Sequence, residues 1–217
     1  AALPADLAAS GRSVVDAVSQ ATPMWAAREY GVDAVAGAGQ GASLWDMALG
    51  TIGGTFRASA EAAPRVLSAG CIGEGCAIAI LAAAAYLLWT KTANWRLMLS
   101  PLAGVIAANL LFRNVLGFGG LGEIPPLDWQ LLSGTTLFVL VFMVTDPVSA
   151  PKRRPAQFAY GLLIGVLIVL LRWRGIFVAA ATFAILLGNL VGPLLDLAAE
   201  WWAAARKPAK AGAEAPS

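Results

Sequence analysis

Apolar residues in this chain do not alternate with polar ones. They gather into five blocks, near 76–89, 97–116, 131–145, 158–171 and 176–195, and polar or glycine-rich residues return between them. Blocks this apolar on every side read as membrane-crossing helices, because ~20 residues at ~1.5 Å each match a hydrocarbon core of ~30 Å. The pattern predicts an all-α integral membrane domain of about five transmembrane helices over 71–202. Three of the blocks fall short of the ~20 residues a simple span needs. A short span that opens on glycine or hydroxyl residues has the form of a broken helix, whose freed backbone groups line a protected cavity. Two places fit: Gly73-Glu74-Gly75 before the first block, and Ser133-Gly134-Thr135-Thr136 at the head of the third. For the third block, polar flanks that complete the helix in the interface are an equal alternative.

Residues 1–70 hold no block long enough to span. Pro23, Gly31, Gly37, Gly39 and Gly41 punctuate this segment as loop, with one helical turn expected near 13–17 and another near 29–36. Residues 53–57 and 61–65 read as an extramembrane excursion. At the other end, the tail over 203–217, rich in Ala, Pro and Lys, is expected to be disordered.

Composition agrees with the membrane reading. Of 217 residues, 59% are hydrophobic and 13% charged, with a mean hydropathy of +0.71, whereas soluble domains carry about 25% charged residues. A net charge of +2 gives no case for nucleic acid as a partner; the lipid bilayer is the partner implied. Histidine is absent, which removes the commonest general base and zinc ligand. Cys71 and Cys76 are too few for a zinc or iron–sulfur centre and read as small packing residues. No nucleophile–base pair, phosphate loop or metal cluster is visible, so no residue is assigned to conventional hydrolytic catalysis.

The loops give an orientation. Lys91, Arg96, Lys152, Arg153, Arg154, Arg206, Lys207 and Lys210 fall on one side, and only Arg113, Arg172 and Arg174 on the other. The richer side is cytoplasmic by the positive-inside rule. Five spans then leave residues 1–70 outside and the C-terminus in the cytoplasm. Trp89, Trp95, Trp129, Trp173, Trp201 and Trp202 sit at block ends, where amphipathic rings prefer the interface.

Ionisable residues at membrane depth are costly, and each is a functional candidate by default. Four qualify by position. Glu74, between glycines at the mouth of a short span, is an ion-path candidate. Asp146, locked against Pro147 at the end of the third block, is either a second ion-path residue or a structural cap beside Lys152–Arg154. Asp196 reads as a solvated helix end, and Arg113 as a side chain reaching out to the interface.

Several stretches resemble one family, which comprises the RnfD subunit of Rnf complexes and the related NqrB subunit of sodium-translocating NADH:quinone reductase. They are Thr136-Leu137-Phe138, the run Phe142-Met143-Val144-Thr145-Asp146-Pro147-Val148-Ser149-Ala150-Pro151, then Phe158-Ala159-Tyr160-Gly161, and Phe183-Ala184-Ile185-Leu186-Leu187-Gly188-Asn189 with Pro193-Leu194-Leu195-Asp196. Upstream, Gly70-Cys71-Ile72-Gly73-Glu74 is similar to the family's block before a span. The resemblance implies one half of an inverted-repeat fold of ten helices, with this chain supplying the second five. A first half preceding it, or a half-length relative, accounts for the remainder.

The same resemblance extends to Asp16-Ala17-Val18-Ser19-Gln20-Ala21-Thr22, which is similar to the family's flavinylation motif. It implies a covalent FMN in phosphoester linkage to the Thr22 hydroxyl, with Asp16, Ser19 and Ala21 in the binding motif, and it admits a second flavin. A flavin transferase would make the bond outside the cytoplasm, the side on which the loop charges place Thr22. The implied function is a non-autonomous membrane subunit of an ion-translocating oxidoreductase in a bacterial cytoplasmic (inner) membrane, with other subunits of a redox complex as partners. Three features depart from the family: Gln20 stands where the motif has glycine, residues 54–69 look inserted, and Arg172-Trp173-Arg174-Gly175-Ile176 replaces its usual loop. Two rivals remain: a channel or transporter on the same fold, and a scaffold that has lost its flavin.

Overall fold

The computed structural model of the chain describes residues 17–20, 23, 24, 27, 32–36, 43–56, 65–69, 75–118, 124–174 and 180–205. All five apolar blocks fall on helices. The first is α3 (Ala77–Trp89), and the second is α4, an α-helix over Trp95–Leu110 that widens into a π-helical turn over Leu111–Val115. The third is divided between α5 (Leu127–Leu132) and α6 (Thr136–Phe138 with a π-helical continuation Val139–Met143). The fourth and fifth are α7 (Arg154–Arg174) and α8 (Ala180–Ala205). Three stretches, Trp95–Val115, Arg154–Arg174 and Ala180–Ala205, are long and apolar enough to cross a membrane. The chain is thus a multi-pass membrane protein with an all-α membrane domain.

The fourth block is no short span. Its helix starts at Arg154 and ends at Arg174, 21 residues, or about 31 Å at the α-helical rise. Its polar flanks complete it. The fifth helix continues through Pro193 to Ala205, so Asp196 lies inside it rather than at its end. Residues 203–205, expected to open a disordered tail, are the last residues of that helix; 206–217 lie outside the described residues.

Small residues set the spacing of the bundle. The most extensive interface joins α4 and α7, where Gly104, Gly161 and Gly165 lie against the facing helix. A Cβ on Gly104 would lie 2.7 Å from the Leu162 carbonyl oxygen, and one on Gly165 would overlap the Pro101 carbonyl. Gly161 and Gly165, four residues apart, form the small-residue stripe that lets apolar helices approach where hydrocarbon supplies no hydrophobic drive. Val105, Tyr160, Ile164, Ile168, Ala181 and Ala184 fill the core around them. At one end of this interface a polar thread crosses between helices. The Asn94 amide donates to Gln157 Oε1 at 3.1 Å, Gln157 Nε2 donates to the Pro151 carbonyl at 3.1 Å, and Ser100 Oγ donates to the Gln157 carbonyl at 3.3 Å.

The segment before the bundle carries more structure than its glycine punctuation suggests. It forms β1 (Ala17–Gln20), α1 (Val32–Ala36), α2 (Leu44–Leu49), β2 (Gly54–Phe56) and β3 (Arg65–Ala69). The three strands make one sheet in the order β1-β3-β2, with β1 parallel and β2 antiparallel to β3. The helical turn expected near 13–17 is therefore replaced, from Ala17, by a strand, because Arg65–Ala69 offers that strand a parallel ladder; residues 13–16 lie outside the described residues. The turn expected near 29–36 is present as α1.

Local chemistry defines α2 closely. Ser43 Oγ accepts from the Asp46 N–H at 3.2 Å, while Asp46 Oδ2 accepts from the Ser43 N–H at 2.9 Å, a reciprocal capping box. Gly50 ends the helix at φ +81°, a left-handed conformation that favours glycine. The helix is seated on the membrane domain: Met47 and Val35 pack with Trp129 of α5 in one buried cluster, and Cys76 Sγ donates to the Ala48 carbonyl at 3.4 Å.

This packing can be tested at two positions. Gly165→Val must push α7 off the α4 backbone, and overpacking of this kind costs about 3 kcal/mol or more when backbone is the obstacle; thermal unfolding of the detergent-purified protein should show the loss. At α2, hydrogen bonds from Ser43 hold the Asp46 carboxyl below its ordinary pKa. A depressed carboxylate stabilises above its unfolded pKa and loses that contribution as pH falls through the folded value. Asp46→Ala should therefore cost the helix about 1 kcal/mol at neutral pH, read as faster amide exchange in α2. The difference from the parent should fade as acid protonates the Asp46 carboxyl.

Candidate functional site

The third apolar block breaks at the place its residues suggested. After Leu132 the backbone leaves the helix at Ser133, passes through Gly134 at φ +71°, and re-enters a helix at Thr136. A side chain at position 134 would strain this turn, and glycine supplies the freedom. The broken-helix reading of Ser133–Thr136 therefore stands against the alternative of a helix completed by its flanks.

A break inside a bilayer leaves backbone carbonyls that water cannot reach, and unsatisfied groups there are costly. Here the donor is Arg172. Its Nη1 donates to the Gln130 carbonyl at 3.0 Å and its Nη2 to the Ser133 carbonyl at 2.6 Å, and the side chain is buried. Around this contact, five buried side-chain atoms have no hydrogen-bond partner: both amide atoms of Gln130 and the hydroxyls of Ser133, Thr135 and Thr136. Gln130, Ser133 and Thr136 are almost wholly enclosed. Trp129, buried beside them, packs with Met47 and Val35 of the segment before the bundle. Further along the entry to α5, Asn109 Nδ2 donates to the Pro125 carbonyl at 3.1 Å and Arg113 Nη1 to the Ile124 carbonyl at 2.9 Å. Arg113 is thus a tie to the α5 approach rather than a side chain reaching out to the interface.

Arg172 and Gln130 were not singled out as site residues by sequence reasoning, which used Arg172 as a marker of sidedness and as part of a loop that departs from the family. A signal was available. Gly161, Ile164, Gly165, Ile168 and Arg172 follow helical spacing on the buried face of α7, so the arginine continues an inward stripe.

The other candidates fall into place separately. Asp146 folds onto its own turn, accepting from the Val148 N–H at 3.1 Å and from Ser149 Oγ at 2.8 Å. Those two bonds hold its carboxyl below the usual range, and the geometry is that of a structural cap. Asp196 is not a merely solvated helix end. Its two carboxylate oxygens accept from the Lys152 N–H at 3.0 Å and the Arg153 N–H at 3.1 Å. One turn on, Glu200 pairs with Arg153 at 2.9 Å, so the carboxylates of α8 clamp the residues that lead into α7. Glu74 lies outside the described residues, as do Asp16, Ala21 and Thr22. Of the stretch similar to the family's flavinylation motif, Ala17–Gln20 form β1, which pairs with β3 with Ser19 opposite Ser68 and Gln20 opposite Ala69. Thr22 comes two residues after that strand. The apparently inserted residues thus supply the strands that hold the motif's own strand in register.

Comparison with known proteins covers both the motif strand and the bundle. Residues 1–200 match the model of the NQR2, RnfD, RnfE family. The NqrB subunit of the Na(+)-translocating NADH-quinone reductase from Azotobacter vinelandii is 35% identical over 197 residues, covering 90% of this chain and 44% of that protein. Its counterpart from Chromohalobacter salexigens is 36% identical over 191 residues, 86% of this chain and 42% of that protein. The RnfD-type subunit of an ion-translocating oxidoreductase complex from Pseudomonas paraeruginosa is 39% identical over 124 residues, 57% of this chain and 35% of that protein. The chain spans less than half the length of these relatives. A match running through nearly the whole chain, across the segment before the bundle and all five helical blocks, means that it belongs to the NQR2, RnfD, RnfE family.

Proposed function

We propose that this chain is a membrane subunit of a redox-driven, ion-translocating electron-transport complex of a bacterial inner membrane, carrying a covalent FMN at Thr22 on the outer side. The observation that carries the reading is the continuity of the family match, which takes in the flavinylation motif and the broken-helix bundle together. The relatives are named as subunits of a sodium-translocating quinone reductase and of an ion-translocating oxidoreductase complex, which supports a non-autonomous role among other subunits.

The residues suit attachment of a flavin phosphate. Among the described residues β1 lies at the sheet edge and pairs with β3, and Pro23 restricts the preceding Thr22 to extended geometry. Ser19 and Ala21 belong to the acceptor's motif, and Asp16 serves the transfer reaction or caps the segment. When bound, FMN supplies the one- and two-electron chemistry that no side chain here provides; the protein holds and orients it. Gln20 replaces the motif's glycine, so a flavin transferase must accommodate a side chain at that position. Sodium or protons are the ions such a subunit would serve, and Glu74 is the carboxylate proposed for their path, Asp146 being held as a cap on its own turn.

A second reading, a channel or transporter without flavin, draws on the buried polar groups at the helix break. The two part company at Thr22. Chain produced together with its own transferase should carry a mass increment of one FMN less water on the peptide containing Thr22, and the denatured protein should fluoresce under ultraviolet light. Thr22→Val should abolish both and leave the membrane domain folded. An unmodified Thr22 peptide would leave the transporter reading in place. The outer location is tested independently with single cysteines introduced at Ser10 and Ala213 in an otherwise cysteine-free chain. An impermeant thiol reagent should reach the first and not the second from the periplasmic side, and labelling of position 213 would overturn the topology.

A further inference from the structure

We propose that the end of the bundle where α4 and α7 begin binds an anionic phospholipid, its phosphate held between Arg96 and Arg154 and its acyl chains laid along the apolar residues beyond them. The two helix starts are fastened together. The Asn94 side chain caps α4 by accepting from the Arg96 N–H at 3.1 Å, and its amide donates to Gln157 Oε1 at 3.1 Å. Arg96 lies two residues past Asn94, and Arg154 opens α7 one turn before Gln157. Beyond the charges both helices turn apolar where they are exposed. Leu99 is exposed one turn after Arg96, and Phe158 and Leu162 are exposed one and two turns after Arg154. A cation followed by an exposed apolar stripe, on two adjoining helices, has the profile of a phospholipid, with charge at the headgroup and hydrocarbon beneath.

Tryptophans set the level of this surface. Trp89 and Trp95 flank the turn into α4, Trp201 and Trp202 directly follow Glu200 on α8, and all four are exposed. Exposed indole rings settle at the headgroup boundary. Glu200 pairs with Arg153 at 2.9 Å, so the aromatic belt and the basic residues share one end of the bundle. Charge then selects the headgroup. Asp196 is taken by the Lys152 and Arg153 N–H groups, Glu200 by the Arg153 side chain, and Asp146 by Val148 and Ser149. Among the described residues, this leaves the cationic groups of Lys91, Arg96, Lys152 and Arg154 without a carboxylate partner. The first turns of α4 and α7 contain no acid, and a helix start favours an anion over the arginine that stands there. A phosphate between the two arginines relieves both. A zwitterionic headgroup brings its own cation and relieves less. The inference is independent of the flavin, since it concerns only the bundle.

The test uses the intact complex containing the full-length chain, stripped of lipid in dodecyl maltoside. It is titrated with dioleoylphosphatidylglycerol or dioleoylphosphatidylcholine, and native mass spectrometry counts the lipid retained by this subunit. The parent should retain phosphatidylglycerol in preference to phosphatidylcholine, and added inorganic phosphate should not displace it. Each surface arginine contributes a factor of roughly five, so Arg96→Gln/Arg154→Gln should bind phosphatidylglycerol roughly 25-fold more weakly, with phosphatidylcholine unchanged. Arg174→Gln removes the same charge at the opposite end of α7 and should bind as the parent does. Should the double variant fail to assemble, Glu200→Gln decides: it releases the Arg153 side chain and should tighten phosphatidylglycerol binding severalfold. Equal retention of the two lipids by the parent, the result if an acidic partner protein covers this surface, would overturn the proposal. So would displacement by phosphate alone, parental affinity in an assembled double variant, weakened binding in Arg174→Gln, or unchanged binding in Glu200→Gln.

Discussion

Hydrocarbon offers no hydrogen bonds, and this structure is arranged around the one place where the chain needs them most. Between Leu132 and Thr136 the third block stops being helical, and the carbonyls that a continuous helix would have satisfied fall to Arg172. A hydrogen bond to a charged donor contributes about 1.5–3 kcal/mol, and an orphaned buried carbonyl costs a similar amount. Placing both bonds on one guanidinium makes the break and the C-terminal end of α7 a single unit. Neither can move far without the other.

That unit requires α7 to be held firmly, and the glycines of the α4–α7 interface do this. With Gly104, Gly161 and Gly165 in contact, the two helices approach until backbone meets backbone. The same stripe that carries Gly161 and Gly165 carries Arg172 two turns further along, so the packing that draws α7 against α4 also aims the arginine at α5. At the opposite end, Asp196 and Glu200 of α8 fix the entry to α7 through the Lys152 and Arg153 backbone and the Arg153 side chain. The helix is pinned at both ends and along its middle, each time by a different kind of interaction.

The amount of this that could be read from sequence follows from the range over which each interaction acts. The five helical blocks were legible because a membrane helix is apolar on every side, and three of them also carry the length that bilayer thickness imposes. The break was legible because Ser133-Gly134-Thr135-Thr136 weakens a helix by local chemistry alone. The sheet was not legible, since β1 becomes a strand only through pairing with residues 65–69, far along the chain, and no local pattern announces a parallel ladder. Asp196 was misjudged for a related reason. Its donors are backbone N–H groups 43 and 44 residues away, contacts that composition and spacing do not encode. Arg172 was readable in principle from its helical stripe, but a positive charge at a block end is so often a marker of sidedness that the inward spacing went unused.

The segment before the bundle and the break are also mechanically continuous. Trp129 is the last aromatic before the break, and it is buried with Val35 and Met47 in the cluster that seats that segment. Gln130, the next residue, gives its carbonyl to Arg172. Any change that shifts α1 or α2 over the membrane domain therefore acts first on Trp129, and through a single peptide unit on the bond that stabilises the break. Close-packed interiors respond to such shifts by switching between discrete arrangements rather than by yielding gradually. The helix α2 is thus connected to the break through three residues, Met47, Trp129 and Gln130, ending at the buried Arg172 guanidinium.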